Sequence, residues 1–334
     1  MATWGEILTE LRTPALGGSV PPNVSPFDFV RRKYLSQLAA KTKRNVIIYA
    51  SRWTQGGGDP QVTSITPEDV QGFMEVISGL SGDALDLVLH SPGGSAEATE
   101  ALVTYLRSKF VDLRIIVPHA AMSAATMLAC AGNRILMGRH SFLGPIDPQV
   151  ILQTELGGRS VPAYAILEQF KYAQAEVKRD PGLLPAWLPI LRQYGPALIV
   201  QCQLHQQLAE TLVADWLARF MFGGDQTLAA KATQIAKDLS NHAQFKSHNR
   251  FVSKDEAKRL GLLIEDLEAD QSLQDAVLSV FHATTHTFSA TPAAKIIENH
   301  QGKAFIKAQG PQLVMLPQGA PVLPSSPSAP PGPP

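Results

Sequence analysis

A Ser-Pro-Gly-Gly turn at residues 91–94 and a serine at 123 are the places where residue type and setting could support chemistry. The turn ends an apolar run, Leu87 to Leu89, and a helical pattern follows it directly. Glycine has no Cβ, so Pro92-Gly93-Gly94 presents backbone N–H groups at a helix N-terminus, where negative charge is stabilised. Ser123 stands where a second apolar run, 113–117, passes through a small-residue turn into another helix. Ala120, Ala121, Ala124 and Ala125 leave room around its hydroxyl. A nucleophilic serine needs an exposed Oγ and nearby N–H donors for the oxyanion. A serine at a helix start is also the common N-cap, and the residues alone leave both roles open.

Strands of one sheet must position these groups. A third apolar run at 134–137 is followed by a Gly/Pro-rich loop, so a β-turn-α unit repeats. That pattern predicts an α/β fold with a largely parallel sheet and helical crossovers. Residues 45–50, NVIIYA, read as the first strand, after a helix over 28–43. Thr66 is expected to cap a helix running to about Leu80, with Pro67 at its first position and Glu68 and Asp69 in its first turn. After Gln149 the pattern turns helical, at 162–179, 185–194, 197–222 and 225–239. This stretch, 150–240, is a helical insertion whose apolar faces suit subunit contacts. Ser253 caps a helix over 254–260 that Gly261 stops, and 262–264 reads as an edge strand. Helices are expected over 272–284 and 291–299. Residues 1–26 form an N-terminal arm with a short amphipathic helix at 4–11, either docked on a neighbouring subunit or a disordered leader. The Pro-rich tail, 310–334, cannot bury enough apolar surface to fold and is expected to be disordered.

The chain has 334 residues, 45% hydrophobic and 17% charged, enough for a core in one large or two small domains. The 29 basic and 29 acidic residues balance, and no basic block suggests nucleic acid. Cys130 and Cys202 both lie in apolar helical patterns. Buried free thiols of this kind fit a reducing cytoplasm and argue against a disulfide scaffold or zinc site. There is no metal-ligand spacing and no phosphate-binding glycine motif, so neither metal nor cofactor is expected. Any ATPase would be a separate partner. No run approaches the roughly 18 apolar residues of a membrane span. Glu6 and Glu10 replace the basic start of a signal peptide, and a soluble protein is expected.

The ordered set HSPGG, AMSAATMLACAG and RILMGRHSFLGPIDPQ resembles the Clp-fold serine peptidases. Within the ClpP/crotonase superfamily it is most similar to the SDH group, the serine dehydrogenase proteinases, which are related to signal peptide peptidase A. HNRFVSKDEAKRLGL at 248–262 and TPAAKIIENHQG at 291–302 continue the likeness, which runs from Asn45 to Gly302. It implies a ClpP/crotonase-like fold of repeated β-β-α units with a peptidase domain over 27–302. It implies a serine-type endopeptidase with Ser123 as nucleophile and the backbone N–H groups of Gly94 and Ala124 as oxyanion hole. It also implies peptide or protein substrates bound as an added strand, and a homo-oligomer. Ala125 departs from the pattern, since related peptidases often have glycine there; its extra methyl narrows the site.

The resemblance leaves several candidates for the general base. The Clp proteolytic subunit uses a histidine on the strand after the nucleophile helix; Pro145 falls near that place, and His140 several residues before it. Signal peptide peptidase A uses a lysine, and Lys171 and Lys178 follow Ser123 at a comparable distance. His248 heads the segment that ends the Clp fold, just after its catalytic aspartate. An imidazole needs little tuning to act at neutral pH, whereas a lysine needs its pKa lowered. The order is therefore His248, then the two lysines, then His140. Each also has a plain reading: a loop hydrogen bond for His140, solvated helix residues for Lys171 and Lys178. His90 and His119 line the substrate groove or are satisfied half-buried side chains. Asp147 orients a base or makes an Asx turn, of which the turn is favoured. Two rival functions remain open: a non-catalytic scaffold binding peptides, and a crotonase-like acyl-CoA enzyme, which needs no nucleophilic serine.

Overall fold

The computed structural model describes residues 3–13, 24–56, 58–154 and 157–310. Helices α1 (Trp4–Arg12) and α2 (Pro26–Thr42) precede β1 (Asn45–Ser51), and α3 (Pro60–Thr63) and α4 (Asp69–Ile77) lead to β2 (Ala84–His90). Then come α5 (Ala96–Lys109), β3 (Asp112–Val117), β4 (Ala120–Ala121), α6 (Ala124–Cys130), β5 (Arg134–Met137) and β6 (Phe142–Leu143). The antiparallel pair of β7 (Gln149–Thr154) and β8 (Gly157–Pro162) opens the insertion, which continues through α7 (Ala163–Arg179), α8 (Leu184–Leu191) and α9 (Leu198–Trp216). The chain closes with α10 (Ala229–Ser240), α11 (His242–Phe245), β9 (Val252–Ser253), α12 (Lys254–Leu260), β10 (Ile264–Asp266), α13 (Gln271–Ala290), β11 (Ala293–Asn299) and β12 (Ala304–Ala308).

Seven strands form the main sheet in the order β10-β5-β3-β2-β1-β11-β12. Every pair from β10 to β1 is parallel, and β11 and β12 add antiparallel pairs at one edge. Both faces are covered, as a parallel sheet requires. Ile47, Leu87, Ile115 and Ile135 belong to one core with α4, α5, α6 and the second half of α9. Ile48, Val88, Ile116 and Leu136 belong to the other, with α1, α2 and α13. Alternate residues of one strand thus serve opposite cores, which is why the strands read as continuous apolar runs. At the end of the strands remote from the 91–94 turn, buried Asp86 accepts from Arg44 at 2.6 Å and from Arg114 at 2.7 Å.

The expected capping by Ser253, with Gly261 in the left-handed region at φ 103°, is observed. Cys130 and Cys202 are both buried free thiols, and burial pushes the Cys130 thiol up to about 12. Four expectations need correction. The 291–299 segment is the strand β11, not a helix; Ile296 and Ile297 are both fully buried, one in each core. The insertion opens with a pair of strands rather than a helix, because β7 pairs antiparallel with β8. Thr66 caps nothing: its hydroxyl has no partner and α4 starts at Asp69, whose carboxylate reaches back to the Thr66 N–H. The arm helix α1 docks on its own chain, with Ile7 and Leu11 in the core shared with α2 and α13. The tail expected to be disordered, 310–334, lies outside the described residues from 311 on.

At the ends of β2 and β3, Trp53, His90 and His119 stack at 5.4 Å spacings, with Phe281 edge-on to His90 at 5.0 Å. His90 is 1% exposed; its Nδ1–H donates to Ala120 O at 3.1 Å, and Nε2 meets the Thr54 hydroxyl at 3.3 Å. These contacts match a satisfied buried histidine rather than a groove lining. Burial, and then the neighbouring His119, lowers its pKa to about 3, so the ring is neutral.

Two measurements check this packing. Ile296→Ala and Ile297→Ala are each expected to cost about 2–5 kcal/mol in urea unfolding, since each empties a filled core position. The His90 ring protonates at about 3 in the folded chain but near 6.5 in the unfolded one. Between those values the unfolded state binds the extra proton. Stability is therefore complete above pH 6.5 and is lost as pH falls toward 3, at about 1.4 kcal/mol per pH unit. Unfolding of His90→Gln between pH 6.5 and 4.5 is expected to show a slope shallower by that amount.

Candidate active site

β2 and β3 are parallel, so their C-terminal ends emerge side by side. Beyond them the 91–94 turn runs as the middle of three extended segments. On one side the Ser91 N–H donates to Ala120 O at 3.2 Å, and the Met122 N–H donates to Ser91 O at 3.0 Å. On the other, the Ile65 N–H donates to Gly93 O at 2.7 Å and the Ser95 N–H to Ile65 O at 3.1 Å. Successive N–H groups of an extended segment point to opposite edges, so the Gly94 N–H faces away from Ile65.

Both glycines are required by close approach. A Cβ on Gly93, at φ 97°, would lie 2.5 Å from Met122 O, 2.7 Å from Ser123 Cβ and 2.8 Å from Ala124 N. A Cβ on Gly94 would fall on the backbone of Ile65. The turn therefore lies directly against the peptide linking Ser123 to Ala124.

Ser123 has φ 53° and ψ −123°, a strained conformation for a residue with a side chain. It occupies the N-cap position of α6, yet its hydroxyl makes no cap hydrogen bond. The capping reading is thus not realised. Ala124, the first residue of α6, has an N–H with no acceptor inside the helix. All seven residues of α6 are buried, and the Thr126 hydroxyl ties it to Ala121 O at 2.8 Å and to the Gly144 N–H at 2.9 Å. Gly94, Ser123 and Ala124 line one cleft of about 200 Å³. Met127, Ile146, Leu208 and Ala209 give it apolar walls, and Glu97 and His205 are among its polar lining.

Behind the cleft wall lies a charged group. Ile146 and Pro148 line the cleft, while Asp147 between them is 1% exposed. Its Oδ1 accepts from His248 Nδ1 at 2.7 Å; its Oδ2 accepts from His242 Nδ1 at 2.8 Å and from the Gln149 amide at 3.1 Å. A carboxylate only accepts, so each Nδ1 carries the proton and each Nε2 is left as the basic atom. The expected Asx turn at Asp147 is replaced by these side-chain bonds, two of them long-range.

His248 bonds Asp147 but is not among the residues lining the Ser123 cleft, and the other candidates lie elsewhere. Lys171 is exposed and paired with Glu168 at 2.8 Å, which raises its pKa, the wrong direction for a base. Lys178 lines a separate cavity in the insertion with Phe170 and Leu184. His140 is in an exposed loop, over Gly138. Two groups escaped the sequence reading. His242 gave no local signal, since its partner is 95 residues away. His205 sits on α9, four residues before the buried Ala209, and reads as part of an amphipathic helix.

Residues 25–186 match the family of ClpP-like SDH-type serine proteinases. An uncharacterized protein of Methanocaldococcus jannaschii is 30% identical over 238 residues, covering 70% of this chain and 73% of that protein. A second uncharacterized protein of the same organism is 33% identical over 128 residues, or 38% of this chain and 41% of that protein. Among solved structures, the 1510-N membrane-bound stomatin-specific protease aligns over 60% of this chain and 74% of its own at 15% identity. Its TM-score of 0.36 is too low to carry an argument. The family match spans the 91–94 turn, Ser123 and Asp147, and the longer relative extends the likeness over most of the chain. By both, this chain belongs to the ClpP-like SDH-type serine proteinase family.

Proposed function

We propose that the chain cleaves peptide bonds as a serine-type endopeptidase, through an acyl-enzyme on Ser123. The observation that carries this reading is the strained Ser123 turn packed against Gly93, with its hydroxyl uncommitted to capping. Ser123 Oγ attacks the scissile carbonyl and passes its proton to a base. The carbonyl oxygen becomes an oxyanion that the Gly94 and Ala124 N–H groups stabilise. Collapse expels the amine, which takes the proton, and water then hydrolyses the ester by the reverse sequence. The apolar cleft walls suit an apolar side chain beside the scissile bond.

His248 is assigned as the base and Asp147 as its orienting carboxylate. The pair has the required order, with Nδ1–H on a buried carboxylate and Nε2 left to accept a proton. His205 is the second reading for the base, because it lines the same cleft as Ser123. A peptide or protein substrate, a cytoplasmic location and a homo-oligomer complete the proposal. Self-association is supported by apolar side chains on the insertion, where Ile151 is 71% exposed and Leu204 56%. Among the described residues no helix is long and apolar enough to cross a membrane.

Labelling with a fluorophosphonate probe is the test. Wild type is expected to label and Ser123→Ala not to label. His248→Ala should slow labelling by about 10²–10⁴-fold, the usual worth of a general base, with Lys171→Ala and Lys178→Ala unchanged. A loss in His205→Ala with His248→Ala unaffected would move the base to His205. A wild type that stays unlabelled would favour the peptide-binding scaffold.

A further inference from the structure

Ile65, the residue that the glycine turn pairs with, is itself held from both sides by one buried ion pair. Lys295, on β11, donates from Nζ to Ser64 O at 2.6 Å and lies 2.8 Å from both carboxylate oxygens of Asp69. Asp69 Oδ2 also accepts from the Thr66 N–H at 2.9 Å and from the Tyr49 hydroxyl at 2.7 Å. Lys295, Asp69 and Tyr49 are all 0% exposed. The residue before Ile65 is thus fixed through its carbonyl by the cation. The residue after it is fixed through its N–H by the anion.

Ile65 lies in the irregular link between α3 and α4, and among the described residues no strand pairs with it on the side away from Gly94. Stability alone does not require charges here, since well-packed apolar residues commonly replace a buried ion pair at no loss. Apolar side chains would not, however, bond to Ser64 O or the Thr66 N–H. The pair supplies a donor and an acceptor on either side of the one residue that bonds to both Gly93 O and the Ser95 N–H.

We infer that Asp69 and Lys295 are positioning residues of the reaction, which set the place of the Gly94 N–H by clamping Ile65. This rests on the oxyanion role proposed for Gly94 and adds what holds that donor in register. Neither residue touches substrate. The clamp acts through Ile65 and the two bonds it makes to the turn.

The experiment separates positioning from stability. Either single variant strands a buried charge and is expected to unfold the chain. The double variant Asp69→Leu/Lys295→Met removes both charges. It leaves the Tyr49 hydroxyl, Ser64 O and the Thr66 N–H without these partners, so its melting temperature is expected to fall. In the folded variant kcat is expected to fall at least tenfold with KM unchanged, because the oxyanion contact is made in the transition state. Hydrogen exchange at the Ser95 N–H is expected to speed up. Should that variant fail to fold, Asp69→Asn/Lys295→Met keeps an acceptor for Tyr49 and Thr66 and frees only Ser64 O; its expected fall in kcat is smaller but in the same direction. Wild-type kcat and Ser95 exchange in a folded double variant would overturn the inference and leave Ser123 untouched. A wild type inert to fluorophosphonate would instead remove the oxyanion reading, and the inference with it.

Discussion

Two backbones meet at this site with no side chain between them. Gly93 lies so close to the chain around Ser123 that one methyl group would clash with Met122 O, Ser123 Cβ and Ala124 N. That approach brings Gly94, Ser123 and Ala124 to one cleft. Ser123 adopts φ 53° to make it, a conformation that costs on the order of 1–3 kcal/mol for a residue with a side chain. Its surroundings must therefore over-determine it. The all-buried helix α6 fixes one side, the Ser91 and Ala120 ladder the other, and Ile65 the far edge of the glycine turn.

The rest of the fold can be understood as what keeps this contact in place. A parallel register puts the ends of β2 and β3 side by side, and both cores bury the strands that carry them. Two buried polar groups anchor irregular segments beside the site. Asp147 ties the loop after β6 to His242 and His248, and Lys295 and Asp69 tie the link after α3. The stacked Trp53, His90 and His119 are neutral packing beside the same strand ends, with His90 holding Ala120 O.

Much of this was legible in the residues because it is local. Glycines at 93 and 94, alanines around Ser123, and the strand-turn-helix order are all short-range signals. So are Ser253 and Gly261 around α12. What the residues hid depends on partners far along the chain. Residues 291–299 read as a helix because nothing local reveals that Ile296 and Ile297 face opposite cores, beside β1. Asp147 read as a turn former because its imidazole partners lie 95 and 101 positions away. Asp69 read as a helix-start acid for the same reason: its lysine stands 226 positions later.

The oxyanion role proposed for Gly94 and Ala124 is tested most directly by a crystal structure with a peptide boronic acid. A tetrahedral boronate on Ser123 Oγ, with one boron-bound oxygen about 2.7–3.1 Å from both the Gly94 and Ala124 nitrogens, is the expected result. A boronate bonded to another residue, or one on Ser123 whose oxygens meet neither nitrogen, would contradict it.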